Sequence, residues 1–212
     1  MATNSPTTNR TLATVFNLPN QLSAVRLILA VVLFCFIANG FYLTGMVLFL
    51  IAASTDWLDG FFARRYGQVT TLGRILDPFA DKVIICGTFI YLAAVPTMAK
   101  DPLGVKAWMV VVIVGRELLV TALRSYIEEK GGDFSAKMAG KLKMVLQCVA
   151  AAVGLYYLHS IAIVDEVATR QPADWCRWLL AGSVWSAVAL TVYSGIVYIA
   201  AAVKLLRSQS EI

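Results

Sequence analysis

Six apolar runs, each near twenty residues and divided by short polar connections, leave this chain few ways to fold. A helix needs roughly 20 consecutive apolar residues to cross a bilayer core, where its backbone must satisfy its own hydrogen bonds. Pro19 and Asn20 introduce the first run, Gln21 to Ala38, and Asn39-Gly40 stops it. The next are expected at Tyr42–Phe62, Thr71–Val95, Val105–Ile127, Ala139–Ile163 and Trp178–Leu206, with Arg64-Arg65, Pro96 and Gly131-Gly132 as breaks. Of the 212 residues 59% are hydrophobic and 15% charged, with a mean hydropathy of +0.73. A soluble domain carries about 25% charged residues, so a soluble enzyme and a disordered chain are both excluded. The expectation is an all-α integral membrane protein with six transmembrane helices. A single membrane domain, 17–206, would lie between a flexible polar N-terminus, 1–16, and a short tail, 207–212.

Charge supplies the orientation. Eighteen Lys and Arg oppose 13 Asp and Glu, a net charge of +5, which in this composition implies basic loops facing anionic lipids and not nucleic acid. With both termini cytoplasmic, only Lys100, Lys106, Arg170 and Arg177 fall outside, and the other fourteen basic residues fall inside. Trp175, Trp178 and Trp185 then sit around the outer interface. The first sixteen residues lack a basic n-region and a small-residue cleavage site, so no removed signal peptide is expected. Cys35, Cys86, Cys148 and Cys176 show no CxxC pairing and read as packing residues. His159, near the outer end of the fifth run, is given no catalytic role.

Acids at the inner ends of two neighbouring helices stand out against this background. Asp56 and Asp59 are three apart at the end of the second run, and Asp77 and Asp81 are four apart near the start of the third, so each pair shares a helix face. Read alone, Asp77 before Pro78 could simply cap the third helix. Four unpaired carboxylates close together repel one another, whereas divalent cations remove the conflict, and all-oxygen ligation selects a hard ion such as Mg²⁺ or Mn²⁺. Two such ions can clamp a diphosphate during in-line displacement. Gly60, Ala63 and Gly73 keep the acid-bearing faces open to a nucleotide, and Arg64 offers a forked donor to phosphate. Arg65 and Arg74 read as solvated charges, and Lys82 pairs or snorkels.

The pattern Asp56-Trp-Leu-Asp59-Gly60-Phe-Phe-Ala63-Arg64, eight residues, then Gly73-Arg-Ile-Leu-Asp77-Pro-Phe-Ala-Asp81 resembles the signature of the CDP-alcohol phosphatidyltransferase family at every fixed position. The resemblance implies that family's six-helix membrane fold, usually a homodimer, and transfer of a phosphatidyl group from CDP-diacylglycerol to an alcohol with release of CMP. It further implies that Asp56, Asp59, Asp77 and Asp81 hold two divalent cations, with Asp81 also the base for the acceptor hydroxyl. Asn20, Gly60, Ala63, Arg64, Thr70 and Gly73 would bind CDP-diacylglycerol.

A second group bears on the acceptor. Gly115-Arg116-Glu117 lies within an apolar run, Arg124 follows two turns later, and Lys137 and Lys141 are four apart. Neighbours on a helix point about 100° apart, so Arg116 and Glu117 are not expected to satisfy each other. Arg116, Arg124, Lys137 and Lys141 together suit a phosphorylated acceptor, whereas Lys130 and Lys143 read as ordinary inner-side lysines. Asn17-Leu-Pro-Asn20 with Arg26, Ala122-Leu-Arg124, Gly140-Lys141-Leu-Lys143 with Gln147, and Leu190-Thr-Val-Tyr-Ser194 are similar to the bacterial glycerol-phosphate branch of the family. Met144 departs from it, standing where relatives commonly have Thr. That likeness implies sn-glycerol 3-phosphate as acceptor, phosphatidylglycerol phosphate as product, and an active site on the cytoplasmic side of a bacterial inner membrane. Other acceptors (inositol phosphate, serine or phosphatidylglycerol) stay open, as do a divalent-cation transporter and a noncatalytic lipid-binding scaffold.

Overall fold

The turn at Asn39-Gly40 shows how little sequence is needed to reverse a helix. Gly40 takes φ +80°, a conformation that costs glycine nothing. Its N–H donates to the Ile37 carbonyl at 3.1 Å, and the Phe41 N–H donates to the Phe36 carbonyl at 3.0 Å. These are the two bonds of a Schellman cap. The apolar contact that usually accompanies such a cap is present as the edge-on Phe36–Phe41 ring pair, centroids 6.0 Å apart. The next helix starts at Tyr42, so the two run antiparallel.

The computed structural model describes residues 18–66, 71–129, 138–167 and 173–210, with side chains at 21, 24–55, 79–127, 140, 142–163 and 173–204. Every element among them is an α-helix: α1 Leu18–Ala38, α2 Tyr42–Tyr66, α3 Thr71–Ala94, α4 Pro96–Lys100, α5 Ala107–Glu129, α6 Met138–Val167 and α7 Asp174–Ser210. The six predicted helices are therefore present, and the five-residue α4 is an addition. Pro96 opens α4 from an extended Val95, the conformation a residue before proline prefers. The Lys106 Nζ donates to the Ala99 and Asp101 carbonyls, at 2.7 and 2.6 Å, and closes its C-terminal end.

The chain divides into two compact units, Met1–Gly87 and Thr88–Ile212, with α3 running through the boundary. In the first unit Ala30, Leu33 and Ile37 of α1 and Phe49 and Ala52 of α2 are buried. Gly45 lets α1 and α2 approach closely, because a Cβ there would stand 3.0 Å from Ile37 Cγ1. The opposite face of α1 carries exposed Val25, Ile28, Val31 and Val32. A helix apolar on all sides is at home in lipid.

In the second unit α6 and α5 both pack on α7, around buried Met109, Ile113, Leu155, Leu158, Leu180, Val184 and Ala187. Leu142–Ile163 in α6 and Asp174–Lys204 in α7 are long and apolar enough to cross a membrane. In α5, Arg116, Glu117 and Arg124 interrupt the apolar stretch. Among the described residues, Ala24–Ala38 and Tyr42–Thr55 are shorter apolar segments. Trp175, Trp178 and Trp185 are all exposed. All four cysteines are free thiols, as expected, but Cys35 is exposed and does not pack in the core; it lies on the outward side of α1, away from Leu33 and Ile37.

One polar clasp ties the α4–α5 connection to α6 and α7. Arg177 Nη2 and Nε donate to Asp101 Oδ1 at 2.8 and 3.1 Å. The Leu103 N–H reaches the same oxygen at 3.0 Å, and the Tyr157 hydroxyl donates to Oδ2 at 2.5 Å. Burial pushes the Asp101 carboxyl up, but these hydrogen bonds and the Arg177 charge outweigh it and hold the group below the ordinary carboxylate value.

Candidate active site

The helical backbone is continuous through both acid pairs. It places Asp56 and Asp59 on the last three turns of α2, and Asp77 and Asp81 one turn apart within α3. Because α3 begins at Thr71, Asp77 and Pro78 stand inside the helix, and the reading of Asp77 as its cap is removed. Pro78 has no N–H to give to the Arg74 carbonyl four residues back. Asp81 is half-buried and takes part in interactions of its own. The side chains of Asn20, Asp56, Asp59, Gly60, Ala63, Arg64, Gly73, Asp77 and Lys141, and residues Thr70 and Lys137, lie outside the described residues. The expected convergence of the four carboxylates lies there too. The donor set fits a hard divalent cation: four carboxylates, no nitrogen or sulfur, at helical spacing.

The acceptor-side group is visible in detail and differs from expectation. Arg116 Nη1 donates to Glu117 Oε1 at 3.4 Å. The two neighbours therefore do meet, within the reach of the long Arg side chain. Lys143, expected to be a solvated inner-side lysine, is buried, and its Nζ pairs with the same Glu117 oxygen. The Arg116 guanidinium lies over the Tyr198 ring, 5.3 Å from its centroid. A Cβ on Gly195 would come within 3.2 Å of Arg116 Cγ, and one on Gly140 within 3.0 Å of the Tyr198 hydroxyl. Close by in sequence, the Gln147 Nε2 donates to Thr191 Oγ1 at 3.1 Å, and the Thr191 hydroxyl donates a hydrogen bond to the Ala187 carbonyl at 2.6 Å. Gln147, Thr191 and Ser194 are all buried. Arg116 Nε is buried with no hydrogen-bond partner among the described residues. Arg124, also assigned to the acceptor, is exposed on α5.

Sequence reasoning missed the buried pairing of Lys143 with Glu117. Two signals pointed to it: a lone acid in an apolar run demands a partner, and Lys143 and Gln147 stand one turn apart on one face.

The description CDP-alcohol phosphatidyltransferase matches residues 16–193, most of the chain. The chain belongs to this family. Its relatives include a protein of Bacillus subtilis (strain 168) named CDP-diacylglycerol--glycerol-3-phosphate 3-phosphatidyltransferase, 33% identical over 196 residues, spanning 85% of this chain and 92% of the relative. Proteins of the same name from Salmonella choleraesuis (strain SC-B67) and Shigella flexneri are 31% and 30% identical over 200 residues, covering 88% of this chain and 95% of each relative. CDP-alcohol phosphatidyltransferases generally use divalent cations, in keeping with the oxygen-only donor set on α2 and α3.

Proposed function

We propose that this CDP-alcohol phosphatidyltransferase transfers the phosphatidyl group of CDP-diacylglycerol to sn-glycerol 3-phosphate, giving phosphatidylglycerol phosphate and CMP. In that reading it is a phosphatidylglycerophosphate synthase. The observation that carries it is a match along nearly the whole of both chains to relatives named for glycerol 3-phosphate. The same relation disfavours a cation transporter and a noncatalytic scaffold.

Asp56, Asp59, Asp77 and Asp81 would hold two divalent cations, Mg²⁺ or Mn²⁺, which when bound neutralise the diphosphate and the charge that develops on it. Asn20, Gly60, Ala63, Arg64, Thr70 and Gly73 take the CDP-diacylglycerol head. Arg116, Arg124, Lys137 and Lys141 take the acceptor's phosphate, which supports in-line presentation of its 1-hydroxyl. Asp81 accepts the hydroxyl proton as that oxygen bonds to the β-phosphorus, and the bond from that phosphorus to CMP breaks. We read the enzyme as a homodimer of six-span subunits in a bacterial cytoplasmic membrane, termini and active site on the cytoplasmic side, in contact with membrane lipids.

The test is direct. Purified protein in detergent is given CDP-diacylglycerol with glycerol 3-phosphate, inositol phosphate, serine or phosphatidylglycerol, and lipid products are separated by thin-layer chromatography. Phosphatidylglycerol phosphate formed with stoichiometric CMP is expected. Product from another alcohol at a higher rate would overturn the acceptor while keeping the chemistry.

A further inference from the structure

Glu117 sits between two cations that treat it differently. Lys143 Nζ makes the close contact with Oε1, while Arg116 Nη1 reaches the same oxygen at 3.4 Å, the far limit of a useful hydrogen bond. The Glu117 and Arg116 side chains are each 10% exposed and Lys143 only 5%, so these charges interact in a poorly screened setting. A short two-point pair between Glu117 and Arg116 would have quenched the guanidinium. Lys143 prevents that by holding the carboxylate, and Glu117 is left to steer Arg116 through one long contact. The Tyr198 ring supports the guanidinium, 5.3 Å from its centroid, and Gly195 gives the Arg116 stem the room to lie there. Arg116 Nε, buried and without a hydrogen-bond partner among the described residues, is one donor left over.

We propose that Glu117, pinned by Lys143, is a positioning residue that sets the Arg116 guanidinium for the phosphate of the acceptor. Glu117 acts through Arg116 and does not touch substrate. The inference rests on the reading of Arg116 as an acceptor ligand, and the experiment keeps the two apart.

Steady-state kinetics in detergent are measured for Arg116→Ala, Glu117→Gln and the double variant, varying each substrate in turn, with thermal unfolding of each protein. Glu117→Gln is expected to raise the KM for glycerol 3-phosphate about tenfold with kcat and the KM for CDP-diacylglycerol changed less than about threefold. In the Arg116→Ala background the same change should add nothing, because residues acting in series are non-additive. A merely structural Glu117 would disturb both substrates alike and would add its effect to that of Arg116→Ala. If Arg116→Ala is selective for glycerol 3-phosphate but Glu117→Gln is silent or additive, positioning is overturned and the acceptor reading stands. If Arg116→Ala itself is unselective, both fall.

Glu117→Gln leaves Lys143 buried beside a neutral partner and can lose its fold. The pair Glu117→Gln with Lys143→Gln removes both charges and is expected to show the same selective rise; its absence in a folded protein overturns the proposal. Tyr198→Leu, which takes away only the supporting ring, should shift the same KM in the same direction by a smaller factor.

Discussion

The second unit contains two clusters built from the same parts, a carboxylate, basic side chains and a tyrosine, and they are finished differently. Around Asp101 everything closes: both oxygens receive donors, from Tyr157 on one side and from Arg177 and the Leu103 N–H on the other. Around Glu117 the same economy is missing. One acid serves two cations, one contact is long, and among the described residues a buried Arg116 nitrogen has no partner. A satisfied cluster stabilises what it joins, whereas an unsatisfied buried polar group costs free energy that has to be explained. The two lie far apart along the helices they share: Lys143 and Tyr157 are 14 residues apart on α6, about 21 Å. One end of the unit is tied, and the other is the end we propose for the acceptor.

The comparison is sharpest when changes at the two ends are set beside a change that touches chemistry alone. Asp81→Asn should have the largest effect of all. Loss of the base is expected to reduce kcat by about 10³-fold, while CDP-diacylglycerol still binds, as equilibrium dialysis with the radiolabelled lipid would show. Near-normal turnover would remove the proposed base. Arg116→Ala comes next. Removing a phosphate ligand should raise the glycerol 3-phosphate KM by about 10²-fold with little change in melting temperature. Equal effects on both substrates would make the Glu117 end as structural as the Asp101 end.

Much of this was readable from the chain. Apolar runs and their punctuation, Asn39-Gly40 and Pro96 above all, located six helices to within a few residues, because helix-stopping residues act locally. What escaped has physical reasons. Five residues of α4 are too short for any period to show. The end of α7, Arg207-Ser-Gln-Ser210, is polar, and an apolar pattern cannot report a helix that runs on past its buried stretch. In the site, the Asp56 to Asp81 pattern is legible because helical spacing links residues close in sequence. The Lys143–Glu117 pair spans 26 residues, and only folding makes it a contact. Arg116 and Glu117 were expected to diverge because the backbone angle was weighed and the length of the arginine stem was not.

At the closed end the expected losses are of stability and not of substrate handling. Asp101→Ala removes the acceptor for four hydrogen bonds around a side chain only 9% exposed, but Arg177 is 41% exposed, and water replaces much of what it loses. A cost of about 2 kcal/mol is expected, a fall in melting temperature of about 4–8 °C, with both KM values unchanged in protein that stays folded. A selective change in the glycerol 3-phosphate KM would break the division between the two ends.

The smallest effect is the pH dependence of that clasp, and its sign is fixed by the direction of the shift. The Asp101 carboxyl lies below its ordinary value of 3.8 in the folded protein, so the unfolded chain takes up a proton first as pH falls. Stability from this group is therefore complete above about pH 5 and declines as acid carries the folded carboxyl through its own lowered value. Asp101→Asn cannot titrate there and should lack this component. Melting temperatures of both proteins, taken from pH 6 to pH 3, should differ most at the upper end and converge toward the lower. A gap of constant width would mean that Asp101 holds α6 and α7 by shape and neutral hydrogen bonds rather than by its charge, and the clasp would then owe nothing to the Arg177 guanidinium as an ion.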